Sequence, residues 1–361
     1  MTERSGSLGR SYRQSRAYTQ NIGRLPAIAV FCPVESAISS HAAELEQKSM
    51  TWLAQFGFFG NKERLRSTKS AEFAARVSPN GLFERLQTAS DWDYWGFAFD
   101  DRSDNGGLST DLDAFVHYAH RLLRALETPD PRLFDNDPLT AAIADISERF
   151  AAQVTPVQHK RWTAAHRAWL FGVAAQIGTT GTMDVNRYVE IRLDNAAGEV
   201  VTLTTELVGG YEVTEEEHCH PEIRALSGMA RLIAALDNDL HSYAKTAAHG
   251  ESDRHNIVDI LAVEFRYGLH DATAAAVALR DRIMCRFLTL SDTVGTFSAG
   301  TRQYVRDLGH IIRGNIDWAL SVPRYAVDDS NVSDFFSISA APADDSTDAP
   351  GISCIDWWWD V

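Results

Sequence analysis

The sequence predicts an all-α protein, a multi-helix bundle. From about residue 36 to residue 325, successive segments repeat apolar residues at helical spacing, and most are apolar around more than half of their circumference. Breaks that carry Gly, Pro, Asn and Asp separate these segments. Helices with such wide apolar faces pack into a multi-helix bundle, which can form a site between facing helices.

The clearest helical periodicity lies in four segments, at residues 34–59, 224–248, 271–294 and 301–322. The breaks between helices are expected at SPNG (78–81), TPDP (128–131), NAAGE (195–199) and VGG (208–210). Residues 199–208, EVVTLTTELV, are rich in β-branched side chains, which are also typical of a strand. We expect a distorted helix there, because one isolated strand would have no partner.

The chain divides into three parts by composition. Residues 1–24 are polar and basic and are expected to form a flexible N-terminal arm, and residues 25–325 form the folded domain. Residues 326–361 are acidic and rich in small residues, and we expect a largely flexible tail. The WWW run at 357–359 has two interpretations: it docks on the domain, or it is an incidental aromatic cluster.

Composition limits the function classes. The 361 residues are 45% hydrophobic and 10% aromatic, as in a globular protein with a sizeable core. A net charge of -15 argues against non-specific binding to nucleic acid, although local cations can still bind an anion. Four cysteines without a CxxC pair, no signal sequence and no membrane-length apolar run favour a cytoplasmic protein. Homodimer formation is left open.

An acidic cluster follows an aromatic run in DWDYWGFAFDDRSD. On a helix, Asp100 and Asp104 lie one turn apart with Asp101 beside them, and Gly96 and Phe97 lie one turn below. Carboxylates so placed suit a hard divalent cation such as Mg²⁺ above an apolar wall. The alternative is a solvated helix end that runs into the NGG turn.

A second polar group lies in NDLHSYAKT. Asn238, Ser242 and Thr246 are spaced four apart and form a stripe of oxygen atoms on one helix face, with Lys245 beside it as a cation suited to phosphate. The alternative is an ordinary solvent face.

Arginine residues near two helix ends are candidates for binding an anion. Arg187 and Arg192 precede the NAAGE break, and Arg324 with Tyr325 ends the folded region. The guanidinium fork suits phosphate oxygens, although a single Arg is more often a surface or interface residue. His218, Cys219 and His220 are expected to be structural or on the surface, because adjacent residues point in different directions.

Together these fragments resemble the bacterial class I terpene synthases (terpene cyclases) over about residues 25–325. DWDYWGFAFDDRSD looks like the family's aspartate-rich motif, and NDLHSYAKT is similar to its second metal motif, Asn-Asp-x-x-Ser-x-x-x-Glu. Arg192 lies 46 positions before Asn238, where the family carries its diphosphate-sensing Arg. Trp318, Arg324 and Tyr325 look like the family's closing Trp and Arg-Tyr pair.

The resemblance implies Mg²⁺-dependent ionisation of a linear prenyl diphosphate, farnesyl or geranylgeranyl diphosphate, followed by cyclisation to a terpene and release of diphosphate. It implies a single-domain helical bundle with a central apolar pocket and three Mg²⁺ ions at the mouth of that pocket. The metal ligands would be Asp100, Asp101, Asp104, Asn238, Ser242 and Thr246, with Asp101 and Asp104 assisting or orienting an Arg. Arg192, Lys245, Arg324 and Tyr325 would bind diphosphate. Phe97, Trp318 and the helix-break residues Asn195 and Ala196 would face the reacting carbons.

One residue departs from the family pattern, since Thr246 stands where the family carries Glu. A neutral hydroxyl ligates Mg²⁺ more weakly than a carboxylate does, so one metal site is in doubt. The sequence leaves two alternative functions to compare with this one. A chain-elongating prenyltransferase would normally carry a second DDxxD, which does not occur between residue 200 and the acidic tail at 326–361. A non-catalytic acidic scaffold would explain the acidic cluster but not the matching Arg and Lys positions.

Overall fold

The structure is a computed structural model that describes residues 26–57, 62–105, 107–128, 130, 132, 134, 136–248, 254–325 and 334–361. At 104, 105 and 244–248 it describes the backbone only. The expected N-terminal arm therefore lies outside the described residues. The described chain is mainly helical, as the periodicity predicts, with one small parallel sheet of two strands.

The helices follow one another in the order α1 (Ala42–Gln55), α2 (Lys62–Ser67), α3 (Ser70–Val77), α4 (Phe83–Asn105), α5 (Leu112–Glu127), α6 (Pro138–Gln153), α7 (Pro156–Gly178), α8 (Val185–Asn195), α9 (Gly198–Gly209), α10 (Glu215–Cys219), α11 (Pro221–Ala248), α12 (Ile257–Phe265), α13 (Leu269–Ser291) and α14 (Ala299–Ser321). The segment with β-branched residues at 199–208 is helical, in α9. Short 3₁₀ turns occur at Leu108–Thr110, Val294–Thr296, Pro323–Tyr325 and Asp356–Trp359.

Local sequence signals fix the ends of the helices that surround the pocket. Thr155 and Gln158 form a reciprocal capping box at the start of α7, which leaves fewer unsatisfied backbone groups there. Asp184 caps α8 by accepting from the Arg187 amide, and Ser298 caps α14 by accepting from the Thr301 amide. These caps hold the helices that carry Arg192 and Trp318.

Two apolar clusters form the core, and α9 lies between them. One cluster is built mainly by α8 and α11–α14, and the other by α1 and α3–α7. Helix α9 contributes Val200, Leu203, Leu207 and Val208 to the second cluster and contacts α4, α7, α11 and α14. The pocket described below lies where these elements meet.

The C-terminal segment differs from the flexible tail that the composition predicts. Strand β1 (Ile28–Phe31) pairs in parallel with β2 (Phe336–Ser339), with Ile28 opposite Phe336. Trp358 is only 2% exposed and lies against α11. Residues 334–361 therefore pack on the domain, because several of their few aromatic side chains are buried against it. Composition alone does not reveal such contacts. Residues 326–333 lie outside the described part of the chain.

Polar contacts hold the same segment to α13. Arg286 donates to the Trp358 and Val361 carbonyl oxygens, and Arg282 pairs with Asp344. The docking interpretation of the WWW run is therefore correct for Trp358. No helix in the described ranges is both long and apolar enough to cross a membrane.

Candidate active site

A cavity of about 280 Å³ opens between the helices at the centre of the fold. Residues of α3, α4, α7, α8, α9, α11 and α14 line it, together with the 3₁₀ turn Pro323–Tyr325. Most of the predicted site residues meet here although they are distant in sequence: Phe97, Asp100, Arg192, Asn195, Ala196, Asn238, Trp318, Arg324 and Tyr325.

Arg192 is held by a network that spans two helices. Its guanidinium donates to Asp239 at 2.7 Å, to the Asn238 amide oxygen at 3.1 Å and to the Asn195 side-chain oxygen at 3.2 Å. The Arg192 side chain is 14% exposed, so the ion pair with Asp239 is largely shielded from water. A charge-assisted bond of this kind fixes the direction of the planar fork and leaves the group aimed along the cavity wall.

Asp239 anchors that network to the rest of the fold. One carboxylate oxygen accepts from Arg192, and the other accepts from the Tyr188 hydroxyl at 2.5 Å and from the Ile257 amide at 2.9 Å. Burial and the Asp239 carboxylate raise the pKa of Tyr188 well above its ordinary value, so the hydroxyl keeps the proton that it donates. Asp239 thereby joins α8, α11 and the start of α12.

Asn238 lies next to Asp239 in α11 but faces the cavity. Its amide nitrogen donates to the Tyr325 hydroxyl at 2.7 Å, while its oxygen accepts from Arg192. Burial raises the pKa of Tyr325, although Arg324 and Arg192 oppose that shift. The neutral Tyr325 hydroxyl and the Asn238 amide oxygen are thus fixed side by side near two guanidinium groups.

Aromatic rings form the wall below this polar end. The Phe97 ring lies 5.7 Å from Trp318, and the Arg324 guanidinium lies 4.9 Å above Phe97. Phe73 of α3 meets Trp318 edge-on at 5.2 Å, and the Trp318 indole N–H donates to the Thr68 carbonyl at 2.8 Å. Ring faces with fixed orientation can stabilise a nearby cation.

The break between α8 and α9 places backbone at the cavity wall. Ala197 adopts a left-handed conformation with φ of 57°, which ends α8 and redirects the chain into α9. The Asn195 carbonyl accepts from the Trp169 indole at 3.1 Å, and its side-chain amide donates to Gln176 at 2.5 Å. Helix α7 therefore holds the break in place.

Several predicted site residues do not line the cavity, and the side chains of others lie outside the described part of the chain. Asp101 pairs with Arg64 of α2, and the Ser242 hydroxyl donates to the Asp239 carbonyl at 3.1 Å. The side chains of Asp104, Lys245 and Thr246 lie outside the described residues. The metal roles of all these residues, and the diphosphate role of Lys245, stay predictions.

The HCH sequence at 218–220 lies at the end of a short helix, α10. His218 belongs to α10 and meets buried Glu206 at 2.9 Å, so its role is structural, as expected.

Sequence reasoning missed Asp239, Trp169 and Asp93. Asp239 directly follows Asn238 in the NDLHSYAKT segment, so the sequence alone could have identified it as a candidate site residue. Asp93 lies four residues before Phe97 and seven before Asp100, which places it on the same helix face. Trp169 carried no such signal, because only the packing of α7 against α8 brings it to the break.

The oxygen donors at the polar end fit hard cations. Asp100 supplies a carboxylate from α4, and Asn238 supplies an amide oxygen from α11 across the cavity. Among the described residues, no group of three or more His, Cys, Asp and Glu side chains could hold a metal ion. A metal at this end would therefore combine few protein oxygens with oxygens from water or substrate, the arrangement that Mg²⁺ prefers.

Comparison with known proteins gives a consistent result. The family described as "Terpene synthase family 2, C-terminal metal binding" matches residues 91–286. The chain is 39% identical to spiroviolene synthase of Streptomyces violens over 92% of its own length and 96% of that protein. It is 33% identical to phomopsene synthase of Allokutzneria albata, over 96% and 99% of the two chains.

Solved structures agree with the fold. The crystal structure of SVS_A2, a protein from ancestral sequence reconstruction, superposes with a TM-score of 0.82 at 38% identity, covering 93% of this chain and 99% of that one. α-Eudesmol synthase, at 20% identity and a TM-score of 0.72, supports the fold alone. The cavity, the order of the motifs and these relatives lead to one conclusion: this chain belongs to the bacterial class I terpene synthases, and it is a terpene cyclase.

Proposed function

We propose that the cavity ionises a linear prenyl diphosphate, farnesyl or geranylgeranyl diphosphate, and cyclises the resulting carbocation. The observation that carries this proposal is the division of the cavity into two chemical ends. Asp100, Arg192, Asn238 and Arg324 converge at one end, and aromatic rings form the wall beneath them. A diphosphate fits the first end, and its hydrocarbon chain fits the second.

The metal ligands are proposed on both sides of the polar end. Asp100 is the principal carboxylate, and Asn238 with Ser242 supplies oxygens from α11. Asp101, Asp104 and Thr246 complete the set that the sequence predicts for three Mg²⁺ ions. When bound, Mg²⁺ neutralises the charge that develops on a departing diphosphate. The protein's part is to fix these oxygens on two different helices before substrate arrives.

Cationic and hydroxyl groups complete the diphosphate site. Arg192 and Arg324 offer guanidinium forks, Tyr325 offers a hydroxyl, and Lys245 is added from the sequence. Because Arg192 is already fixed by Asp239, little reorganisation is needed when charge develops on the leaving group. Donors fixed in advance favour the transition state over the ground state.

The apolar end would protect the allylic cation. Phe97 and Trp318 present ring faces, and each such contact stabilises a cation by roughly 0.5–2 kcal/mol. The helix break would present a backbone carbonyl dipole toward the reacting carbons. At Asn195 that carbonyl already accepts from Trp169, which makes Ala196 the better candidate of the two. Tight packing by the substrate would exclude water.

The relatives leave the chain length of the substrate open. A (+)-T-muurolol synthase of Streptomyces clavuligerus, named as cyclising (2E,6E)-farnesyl diphosphate, is 28% identical over 92% of this chain. "Diterpene cyclase DtcycB" of a Streptomyces species is 26% identical over the same share. Neither relative is named as a chain-elongating prenyltransferase or a scaffold, and those alternatives are not favoured.

Incubation with geranyl, farnesyl and geranylgeranyl diphosphates tests the proposal. We expect Mg²⁺-dependent diphosphate release from farnesyl or geranylgeranyl diphosphate, abolished by chelation of Mg²⁺ with EDTA. Asp100→Ala should lower kcat/KM by at least about a hundredfold, because it removes the principal carboxylate at the polar end. Asp113→Asn is the matched control, since its side chain is 91% exposed on α5. Full activity in Asp100→Ala with unchanged circular dichroism would remove Asp100 from the mechanism.

A further inference from the structure

One carboxyl group inside the cavity has no part in the mechanism given so far. Asp93 lines the cavity from the middle of α4, on the face that also carries Phe97 and Asp100. Seven residues of helix separate Asp93 from Asp100, about 10 Å along the helix axis. Asp93 therefore lies at the depth of the aromatic wall and below the polar end.

The surroundings of Asp93 are unusual for a carboxyl group. It is 9% exposed, and it makes no hydrogen bond or ion pair with another described residue. Trp92, Phe73 and Val201 line the cavity beside it, and Thr202 also lines the cavity. Buried carboxyl groups elsewhere in this chain have partners: Asp91 pairs with Arg149, and Asp237 pairs with Arg280. A buried carboxyl group without a partner is costly and needs an explanation.

Burial alone raises the pKa of Asp93 well above its ordinary value. The charged residues that line the same cavity are Asp100, Arg192, Arg231 and Arg324, and none of them contributes to that shift. Burial therefore favours the protonated form of the Asp93 carboxyl group.

We propose that Asp93 is a catalytic acid–base residue that donates a proton to a neutral cyclised intermediate inside the cavity and takes one back to finish the product. This inference rests on the proposed function, which places the hydrocarbon between the aromatic wall and α4. The polar end, with its fixed Arg192, would act on the diphosphate, and Asp93 would act later and only on the hydrocarbon.

The proton transfers balance in three steps. The first carbocation loses a proton to the released diphosphate, and the C–H electron pair becomes a double bond of a neutral intermediate. The O–H bond of Asp93 then breaks, and its proton joins one carbon of a double bond, which leaves a cation on the other carbon and a carboxylate on Asp93. Finally the carboxylate accepts a proton from a carbon next to the cation, a new double bond forms, and Asp93 is neutral again.

Deuterium labelling tests this step directly. The carboxyl proton of Asp93 exchanges with solvent while the cavity is open, so a reaction in D₂O should place one deuterium on carbon in the wild-type product. Cyclisation by ionisation and one final deprotonation places none. Gas chromatography with mass spectrometry distinguishes the two, and an unlabelled wild-type product would overturn the proposal.

Two substitutions test whether Asp93 is the source of the deuterium in the product. Asp93→Asn and Asp93→Leu remove the acidic proton, so any hydrocarbon that they form should be unlabelled and should differ from the wild-type product. A labelled product from either variant would overturn the assignment. So would a folded variant that releases no diphosphate, because Asp93 is proposed to act after ionisation.

The matched control is Asp307→Asn. Asp307 is also buried, and burial also raises its pKa, but it accepts from Tyr211 and Gln303 away from the cavity. Its substitution should leave the label in place. The proposed function itself would fail differently, with no diphosphate release from any prenyl diphosphate by the wild-type protein.

Discussion

Arg192 illustrates at the residue scale how one side chain is prepared for a leaving group. Its guanidinium is oriented by Asp239, and Asp239 is in turn fixed by Tyr188 and by the start of α12. A lysine would keep the charge but could not repeat the planar contacts to Asp239, Asn238 and Asn195.

Arg192→Lys should therefore lower kcat/KM by about a hundredfold, the effect of removing one fixed donor from a developing oxyanion. Steady-state kinetics of diphosphate release would measure this. Arg187→Lys is the control on the same helix, because Arg187 is half exposed and pairs only with exposed Glu190. A change of less than about twofold in Arg192→Lys would mean that Arg192 does not sense diphosphate.

Thr246 stands where the resemblance to the family's second metal motif leads us to expect Glu. If it faces a metal, replacing its neutral hydroxyl with a carboxylate should tighten binding of a hard cation. Thr246→Glu should then need less Mg²⁺ for half-maximal rate than the wild-type enzyme. A Mg²⁺ titration of both proteins compares them directly, and an unchanged or higher requirement would show that Thr246 is not at the ligand position.

The helix break between α8 and α9 is the element on which the site geometry depends most. Contacts with α7 fix the position of this break. A Cβ atom on Gly172 of α7 would lie 2.7 Å from the Asn195 backbone nitrogen, so only glycine lets the two elements approach this closely. Asn195 in turn contacts Arg192.

Gly172→Ala should push the end of α8 away and destabilise the fold by about 1–3 kcal/mol, with a loss of turnover as Arg192 shifts. Gly178→Ala is a control on the same helix, since its Cβ would meet only the Leu112 side chain at 3.4 Å. Thermal melting and kinetics of both variants separate crowding at the break from a general helix effect. Equal stability of the two variants would contradict the tight contact.

On the scale of the whole molecule, the C-terminal segment is part of the folded body. Trp358 packs so closely on α11 that a Cβ on Gly228 would lie 2.7 Å from its ring. Phe336 of β2 meets His241 of α11 at 4.0 Å, and His241 in turn faces Tyr325 at 5.8 Å. The segment thereby supports the helix that carries Asn238.

Trp358→Ala should lower the free energy of unfolding by about 3–5 kcal/mol, the usual cost of removing a large buried aromatic side chain. Trp359→Ala should cost less, because Trp359 is only partly buried. Chemical denaturation of the two variants would measure the difference. If both substitutions were nearly neutral, the segment would not be contributing to the stability of the domain.

The sequence predicted the helical bundle and much of the polar end of the cavity, because helical period and spaced motifs are local signals. Asp100, Arg192, Asn238 and Tyr325 could be identified in that way. The packing of the C-terminal segment could not be predicted in that way. Pairing of Ile28 with Phe336 joins residues about 300 positions apart and needs the folded bundle between them. Trp169 was missed for the same reason, whereas Asp93 was visible in the helical spacing of α4 but was not used.

In the proposed mechanism, one cavity both expels diphosphate and shields the cation from water. The most direct test is the molar ratio of cyclic hydrocarbon to diphosphate in a single reaction with Mg²⁺ and the accepted prenyl diphosphate. We expect nearly one cyclic hydrocarbon for each diphosphate released. Release of diphosphate together with a linear prenyl alcohol, the product of capture by water, would contradict it, and so would the absence of release from all three prenyl diphosphates.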